Sequence, residues 1–262
     1  MTSVDKALDV LMLLSREHTL GVRDIARRLS LSAPTVYRLL TNLAAHDLAQ
    51  QVPGTHEYKL GWACLDLARN TLADVGVVQQ GPAVAKALRD QTRETVTVQI
   101  PAGGDHICVL EVEGLDEIRR RVGIGRRMAL HAGASGRAIL AFMPQAQIDE
   151  YLRGPLEQVS PRTVTDPAEL RVRFEEIRTQ GYAMSAGEAV EGAVAVAAPV
   201  FGRSGLVEAS ISISGPQSRL SAEVVKDFAP MVVTAGLLLS RQLGYSPIDR
   251  QQDARGALAT NR

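Results

Sequence analysis

Ser32, Thr35, Arg38 and Asn42 recur every three or four residues, and no Lys, Asp or Glu stands between Ser32 and His46. On a helix that spacing gathers two hydroxyls, a guanidinium and an amide on one face, with Tyr37 at its edge. Such groups reach phosphate oxygens and base edges, whereas an ordinary solvated helix carries several Lys and Glu. Arg23, Arg27 and Arg28 lie just upstream, and Thr55 sits in a Pro53-Gly54-Thr55 turn downstream. This is the chemistry of double-stranded DNA binding rather than of catalysis. A second group is oxygen-rich: Ser210, Ser212 and Ser214 alternate with Ile211 and Ile213, so a strand places the three hydroxyls on one side.

Placing the first group takes two helices and a hairpin. Ile25, Ala26 and Leu29 share a face, which predicts a helix from about Val22 to Leu29 with Gly21 as a weak N-cap. Ser30-Leu31-Ser32 is the turn, Ser32 caps the next helix, and Pro34 falls early enough in it to cost nothing. Val36, Leu39, Leu40 and Leu43 form that helix's apolar stripe. Strands at 49–52 and 56–60 flank the Pro53-Gly54-Thr55 turn. A support helix, about Val4 to Glu17, offers Val4, Ala7, Leu8, Leu11 and Leu14 on one face. Together these make a winged helix-turn-helix, whose second helix enters the major groove. The bland alternative is a three-helix bundle with a hairpin.

The chain has 29 basic and 29 acidic residues, so its net charge is zero. Within residues 1–60, seven Lys and Arg face six Asp and Glu. DNA binding must therefore rest on the local cluster Arg23, Arg27, Arg28 and Arg38 and on dimerisation, not on a global field. Two distant cysteines, Cys64 and Cys108, suggest no disulfide framework and suit a reducing cytosol, so a cytoplasmic location is expected. No apolar run approaches membrane-spanning length, and no signal peptide is expected. The five histidines show no metal-ligand spacing, and no P-loop, GxGxxG or GxSxG occurs. No metal, cofactor or catalytic set is expected.

Residues 61–75 read as a linker helix, with Trp62, Leu65, Ala68 and Leu72 on a face that should pack on something. Gly76 and Gly81-Pro82 break the pattern and open a second domain, whose first helix spans about Pro82 to Thr92. Strands are expected at 95–100, 106–112, 118–122, 182–185, 194–201 and 206–214. Helices are expected at 135–142, 145–153, 167–180 and 222–243. That order argues an α+β fold around an antiparallel sheet. The expected domains are 1–60, a linker at 61–80, 81–245, and a mobile tail at 246–262.

Ala134-Ser135-Gly136 stands where a helix begins, so free backbone N–H groups and a hydroxyl offer a carboxylate site. Ser135 as a simple N-cap explains the same residues. The serine face of 210–214 has two readings as well, a wet strand or a pocket wall. In Arg119-Arg120-Arg121, strand alternation sets Arg120 opposite its neighbours; an inward Arg120 would pair with an anion, and a solvated run is the alternative.

Four blocks in order resemble the IclR family of bacterial transcription regulators. They are IARRLSLSAPTVYRLLTNL with its wing closing on YKLG, LHAGASGRAIL (130–140), GEAVEGAVAVAAPVFG (187–202) and ASISISGPQSRL (209–220). They span about residues 4 to 244. The departures are Asp47 in place of a usual Gly, Arg137 in place of a usual Lys, and Ala134-Ser135 in the small-residue pattern. The resemblance implies a GAF-like α/β effector domain behind the winged helix. It implies effector contacts at Ser212, Ser214, Ala134 and Ser135, with walls from Arg120, Met128, Leu130, Ala193 and Ala195. Glu188 matches the family's GE position and either binds the ligand or makes a structural hydrogen bond. His131 reads as a satisfied buried histidine. The implied function is a ligand-responsive regulator, a repressor of a catabolic operon sensing a small organic acid. It would bind a palindromic operator as a homodimer or tetramer. An enzyme or sensor that uses the winged helix only for protein contacts is the alternative.

Overall fold

The computed structural model describes residues 2–73 and 75–246. The expected mobile tail lies outside the described residues except for Ser246. Internal contacts divide the chain into two units, 1–74 and 75–262.

The N-terminal unit runs α1 (Ser3–Leu14), β1 (Leu20–Gly21), α2 (Val22–Leu29), α3 (Ala33–Ala45), β2 (Ala49–Gln51), β3 (Glu57–Leu60) and α4 (Ala63–Ala73). The three strands form one antiparallel sheet in the order β1-β3-β2. The two-residue β1 carries too little periodicity to read from sequence; it exists because β3 offers it a free edge. Val10, Leu14, Ile25, Val36, Leu40 and Tyr58 make the core. The α1 face differs from expectation. Val10 and Leu14 are buried, whereas Val4, Leu8 and Met12, spaced four apart, are more than half exposed. α4 buries no residue: Leu65 and Leu67 stand out from it, and Trp62, just before its start, is exposed too. The expected packing of that face is therefore absent within the described chain.

The end of α3 explains the departure at Asp47. The N–H groups of Asp47 and Leu48 bond back to the carbonyls of Ala44 and Leu43, and Asp47 takes a left-handed φ of 52°. This is a Schellman ending, where Gly is the favoured residue because a Cβ is strained at positive φ. Asp47→Gly is expected to raise the stability of the full-length protein by about 1 kcal/mol in urea unfolding. A variant of equal or lower stability would contradict this account.

The C-terminal unit runs α5 (Gly76–Thr92), β4 (Thr95–Ala102), β5 (Asp105–Val112), β6 (Arg127–Ala129), α6 (Gly133–Leu140), α7 (Gln145–Arg153), α8 (Pro167–Gln180), β7 (Ala183–Ala186), β8 (Ala193–Phe201), β9 (Val207–Pro216) and α9 (Ala222–Gln242). Its six strands form an antiparallel sheet in the order β6-β5-β4-β9-β8-β7. α5 and α9 pack on each other and on the sheet, and α6 covers β7, β8 and β9. Both faces of β9 are consequently buried. Ile211 meets α9 near Gly236, and Ser210, Ser212 and Ser214 are buried too, which removes the wet-strand reading.

Two expectations fail here. The first helix starts at Gly76, not Pro82, and runs through the proline. Pro82 forfeits one helical hydrogen bond, but burial of Val77, Gly81, Val84 and Leu88 outweighs that local preference. Second, residues 118–122 form no strand; the edge strand is β6. The Glu111 carboxylate accepts the N–H groups of Val122 and Gly123 at 2.7 and 2.8 Å, which occupies donors a strand ladder needs. Gly123 and Gly125 at positive φ then turn the chain into β6.

Candidate functional site

α3 buries Val36, Leu39, Leu40 and Leu43 and leaves Tyr37, Arg38 and Asn42 exposed. Ser32 is its N-cap, and the Ser32 and Thr35 hydroxyls share a 2.8 Å hydrogen bond. Both are thus tied into the helix start, though Ser32 stays on the surface. The basic cluster is partly self-neutralised. Arg27 pairs with Asp24 at 2.8 Å and Arg28 with Glu17 at 2.5 Å. These are exposed pairs of about 0–1 kcal/mol, weak enough to be exchanged for phosphates. Arg23 and Arg38 carry no ion pair among the described residues. Arg23, Tyr37, Gln51, His56 and Tyr58 line one groove between α2, α3 and the wing. Gln51 and His56 were missed from sequence, because a short wing strand reveals no periodicity that separates its two faces. Thr55 stiffens the wing turn: its hydroxyl donates to the Val52 carbonyl and accepts the Glu57 N–H.

The C-terminal unit holds a cavity of about 50 Å³ between β4, β9, the first turn of α6 and the loops at 113–126 and 187–192. Arg120, Met128, Ala134, Ser135, Ala193, Ala195, Ser212 and Ser214 all line it. Leu130 does not; it is buried in the core beside α6. Glu188 does not either. Its carboxylate is taken by Arg137, whose guanidinium also donates to the Met184 carbonyl, and by Arg173 at 3.1 Å. Arg137 is 1% exposed, so Glu188 is the counter-ion of a buried charge and not a ligand contact.

The cavity floor is a hydrogen-bonded row. Thr97 and Ser212 share a 2.8 Å bond, and the Gln99 amide donates to Thr97 at 3.2 Å and to Ser135 at 3.3 Å. Thr97 and Gln99 were missed in sequence, where β4 reads only as an apolar-rich strand; they face the cavity because they pair in register with Ser212 and Ser210. The Ser214 hydroxyl, 6% exposed, has no partner among the described residues and lines the cavity. An unpaired buried hydroxyl costs free energy unless something fills its valence. Gly133, Ala134 and Ser135 open α6, and the first N–H groups of a helix have no partner within it. Ser135 is not the N-cap; Ala132 is.

Arg120 enters the cavity from the 113–126 loop rather than from a strand, its carbonyl held by the Thr95 hydroxyl at 2.5 Å. Burial and the neighbouring Arg126 lower it from the ordinary guanidinium value. Behind the wall, burial pulls the His106 imidazole down to about 4, so this ring is neutral under the first turn of α6. His131 bonds the Tyr151 hydroxyl and the Glu157 carbonyl and is fully satisfied.

Two family models match this chain. The IclR helix-turn-helix domain covers residues 3–53, and the bacterial transcriptional regulator IclR C-terminal domain covers 69–241. The chain belongs to the IclR family of bacterial transcriptional regulators. The regulator is 28% identical to the HTH-type transcriptional regulator KdgR of Escherichia coli, over 94% of each chain. It is 32% identical to the HTH-type transcriptional regulator BhcR of Paracoccus denitrificans, over 94% of this chain and 88% of that one. Among solved structures, the Thermotoga maritima IclR superposes with a TM-score of 0.77 at 26% identity, covering 92% of this chain and 98% of that one. An IclR homologue from Microbacterium hydrocarbonoxydans, complexed with 4-hydroxybenzoate, shares the fold with a TM-score of 0.78 at 21% identity, covering 94% and 100%. These relatives are regulators, so the enzymatic alternative is not favoured. No helix of the described residues is long and apolar enough to cross a membrane.

Proposed function

We propose that this regulator represses a catabolic operon, binds a palindromic operator through α3 and the wing, and responds to a small organic acid in the C-terminal cavity. The observation that carries the DNA half is the exposed face of α3. It presents Arg38, with no ion pair among the described residues, beside Tyr37 and Asn42. Arg23 and the wing residues Gln51 and His56 extend that surface. The unpartnered Ser214 hydroxyl, the open first turn of α6 and Arg120 support an anionic effector. The apolar row Val4, Leu8 and Met12, with Trp62 and Leu65, supports assembly as a homodimer or a tetramer, since such residues are costly to leave in water. Two-fold symmetry then matches two half-sites.

The test is a gel shift on the DNA upstream of the regulator's own gene. Arg38→Ala is expected to weaken operator binding by about 1–3 kcal/mol if it reads a guanine. Unchanged binding by a folded variant would remove α3 from the major groove.

A further inference from the structure

We propose that His106 is an acid-sensitive seat for α6: the neutral ring carries the helix, and protonation of the ring releases the helix from the sheet. The device is independent of what the cavity binds.

Its placement comes from the sheet. The register of β4 against β5 slips between Val98 and Gln99, which leaves Val109 as an extra residue in β5. Such a bulge reverses the alternation of faces along the strand. Leu110 therefore meets Gly81 of α5 on one side, whereas His106 meets Gly136 of α6 on the other. The helix sits directly on the ring. A Cβ at Gly136 would lie 2.8 Å from His106 Cδ2 and would also strike the Leu130 carbonyl.

His106 is fully buried, and neither ring nitrogen has a hydrogen-bond partner among the described residues. The neutral ring leaves one donor and one acceptor unmet; the charged ring would bury a cation with two unmet donors, at far greater cost. The surroundings supply no counter-charge in contact. The register partners Pro101 and Met128 are uncharged, and β4 holds no ionisable residue. The charged residue of α6 is Arg137, which is held by Glu188. On β5 itself, burial pushes the Cys108 thiol up to about 12, and Asp105 pairs with Arg127 of β6 at 3.1 Å. His131, beside α6, is already bonded to Tyr151 and Glu157. The Ala132 backbone comes near without completing a hydrogen bond. It and Asp105 favour the charged ring, yet burial outweighs both.

The seated ring thus titrates at about 4, below the ordinary 6.5 of an imidazole that water can reach. The seated state has its full advantage above about 6.5 and loses it as pH falls from there toward about 4. All eight residues of α6 are buried, and Gly133, Ala134 and Ser135 line the cavity. Acid should therefore open the cavity by lifting α6 before the rest of the sheet gives way.

Amide hydrogen exchange on the full-length protein tests this, with α5, on the other face of the sheet, as the reference. After correction for intrinsic exchange rates, protection in α6 is expected to fall about tenfold more than in α5 between about pH 7 and about pH 5. In His106→Leu the two helices should keep the same ratio at both pH values. Protection that falls in α6 and α5 together, or not at all, or selectively in α6 but equally in His106→Leu, would overturn the seat. If that variant does not fold, NMR titration of the wild-type imidazole nitrogens decides. Protonation of His106 in step with α6 exchange supports the proposal, and a His106 ring already charged at about pH 7 while α6 stays protected overturns it.

Discussion

Glu188→Ala is expected to lower the stability of the C-terminal unit by about 3–5 kcal/mol. Arg137, on α6, is 1% exposed, and among the described residues its counter-charge is the Glu188 carboxylate alone, with the Met184 carbonyl as a further acceptor. Removing the carboxylate strands a guanidinium where water cannot solvate it. It also frees Arg173, but that residue is partly exposed and keeps Glu169 at 2.8 Å, so it contributes little to the loss. Adding Arg137→Met should recover part of the loss, because the buried charge disappears together with its partner. Urea unfolding of the two single variants and the double variant, as a thermodynamic cycle, measures this. A single-variant cost below about 1 kcal/mol would mean that water reaches Arg137. It would also mean that the loop carrying Ala189 and Val190 is held less firmly than this ion pair suggests.

The second large effect is expected at Arg219, where Arg219→Ala should cost about 2–4 kcal/mol, discounted for its partial exposure. Glu94 is 2% exposed at the entry to β4, and Arg219 clamps its two oxygens through Nε and Nη2 while Nη2 also holds the Ile118 carbonyl at 3.0 Å. One side chain thus fixes the segment after β9, the start of β4 and the loop that carries Arg120. Gly215 belongs to the same device, since a Cβ there would collide with the Glu94 carboxylate. Arg219→Ala should therefore lower both stability and acid binding, whereas Ser214→Ala should lower acid binding alone. Thermal unfolding and titration on the same two variants separate them. Loss of binding without loss of stability at Arg219 would place this arginine in the ligand site instead.

Much of this was legible in the residues because the deciding forces are local. Gly21, Ser32 and Pro34 start the two helices where capping chemistry says they should, and the Val36, Leu39, Leu40 and Leu43 stripe fixes which face of α3 is left for DNA. Alternation at 210–214 put Ser212 and Ser214 on one side, and family resemblance supplied the link to Ala134, Ser135 and Arg120. What the residues alone could not decide depends on partners distant in the chain. Pro82 lies inside α5 because the helix is buried on both sides of it, and no local propensity records that burial. Residues 118–122 form no strand, and at their end Glu111 takes the N–H groups of Val122 and Gly123, a competition invisible without the fold. Glu188 has the chemistry of a ligand contact and of a counter-ion alike, and only the arrival of Arg137 from α6 assigns it to the second. Thr97 and Gln99 join the cavity through their register against β9, because strand pairing, set by the whole sheet, chooses which side chains meet.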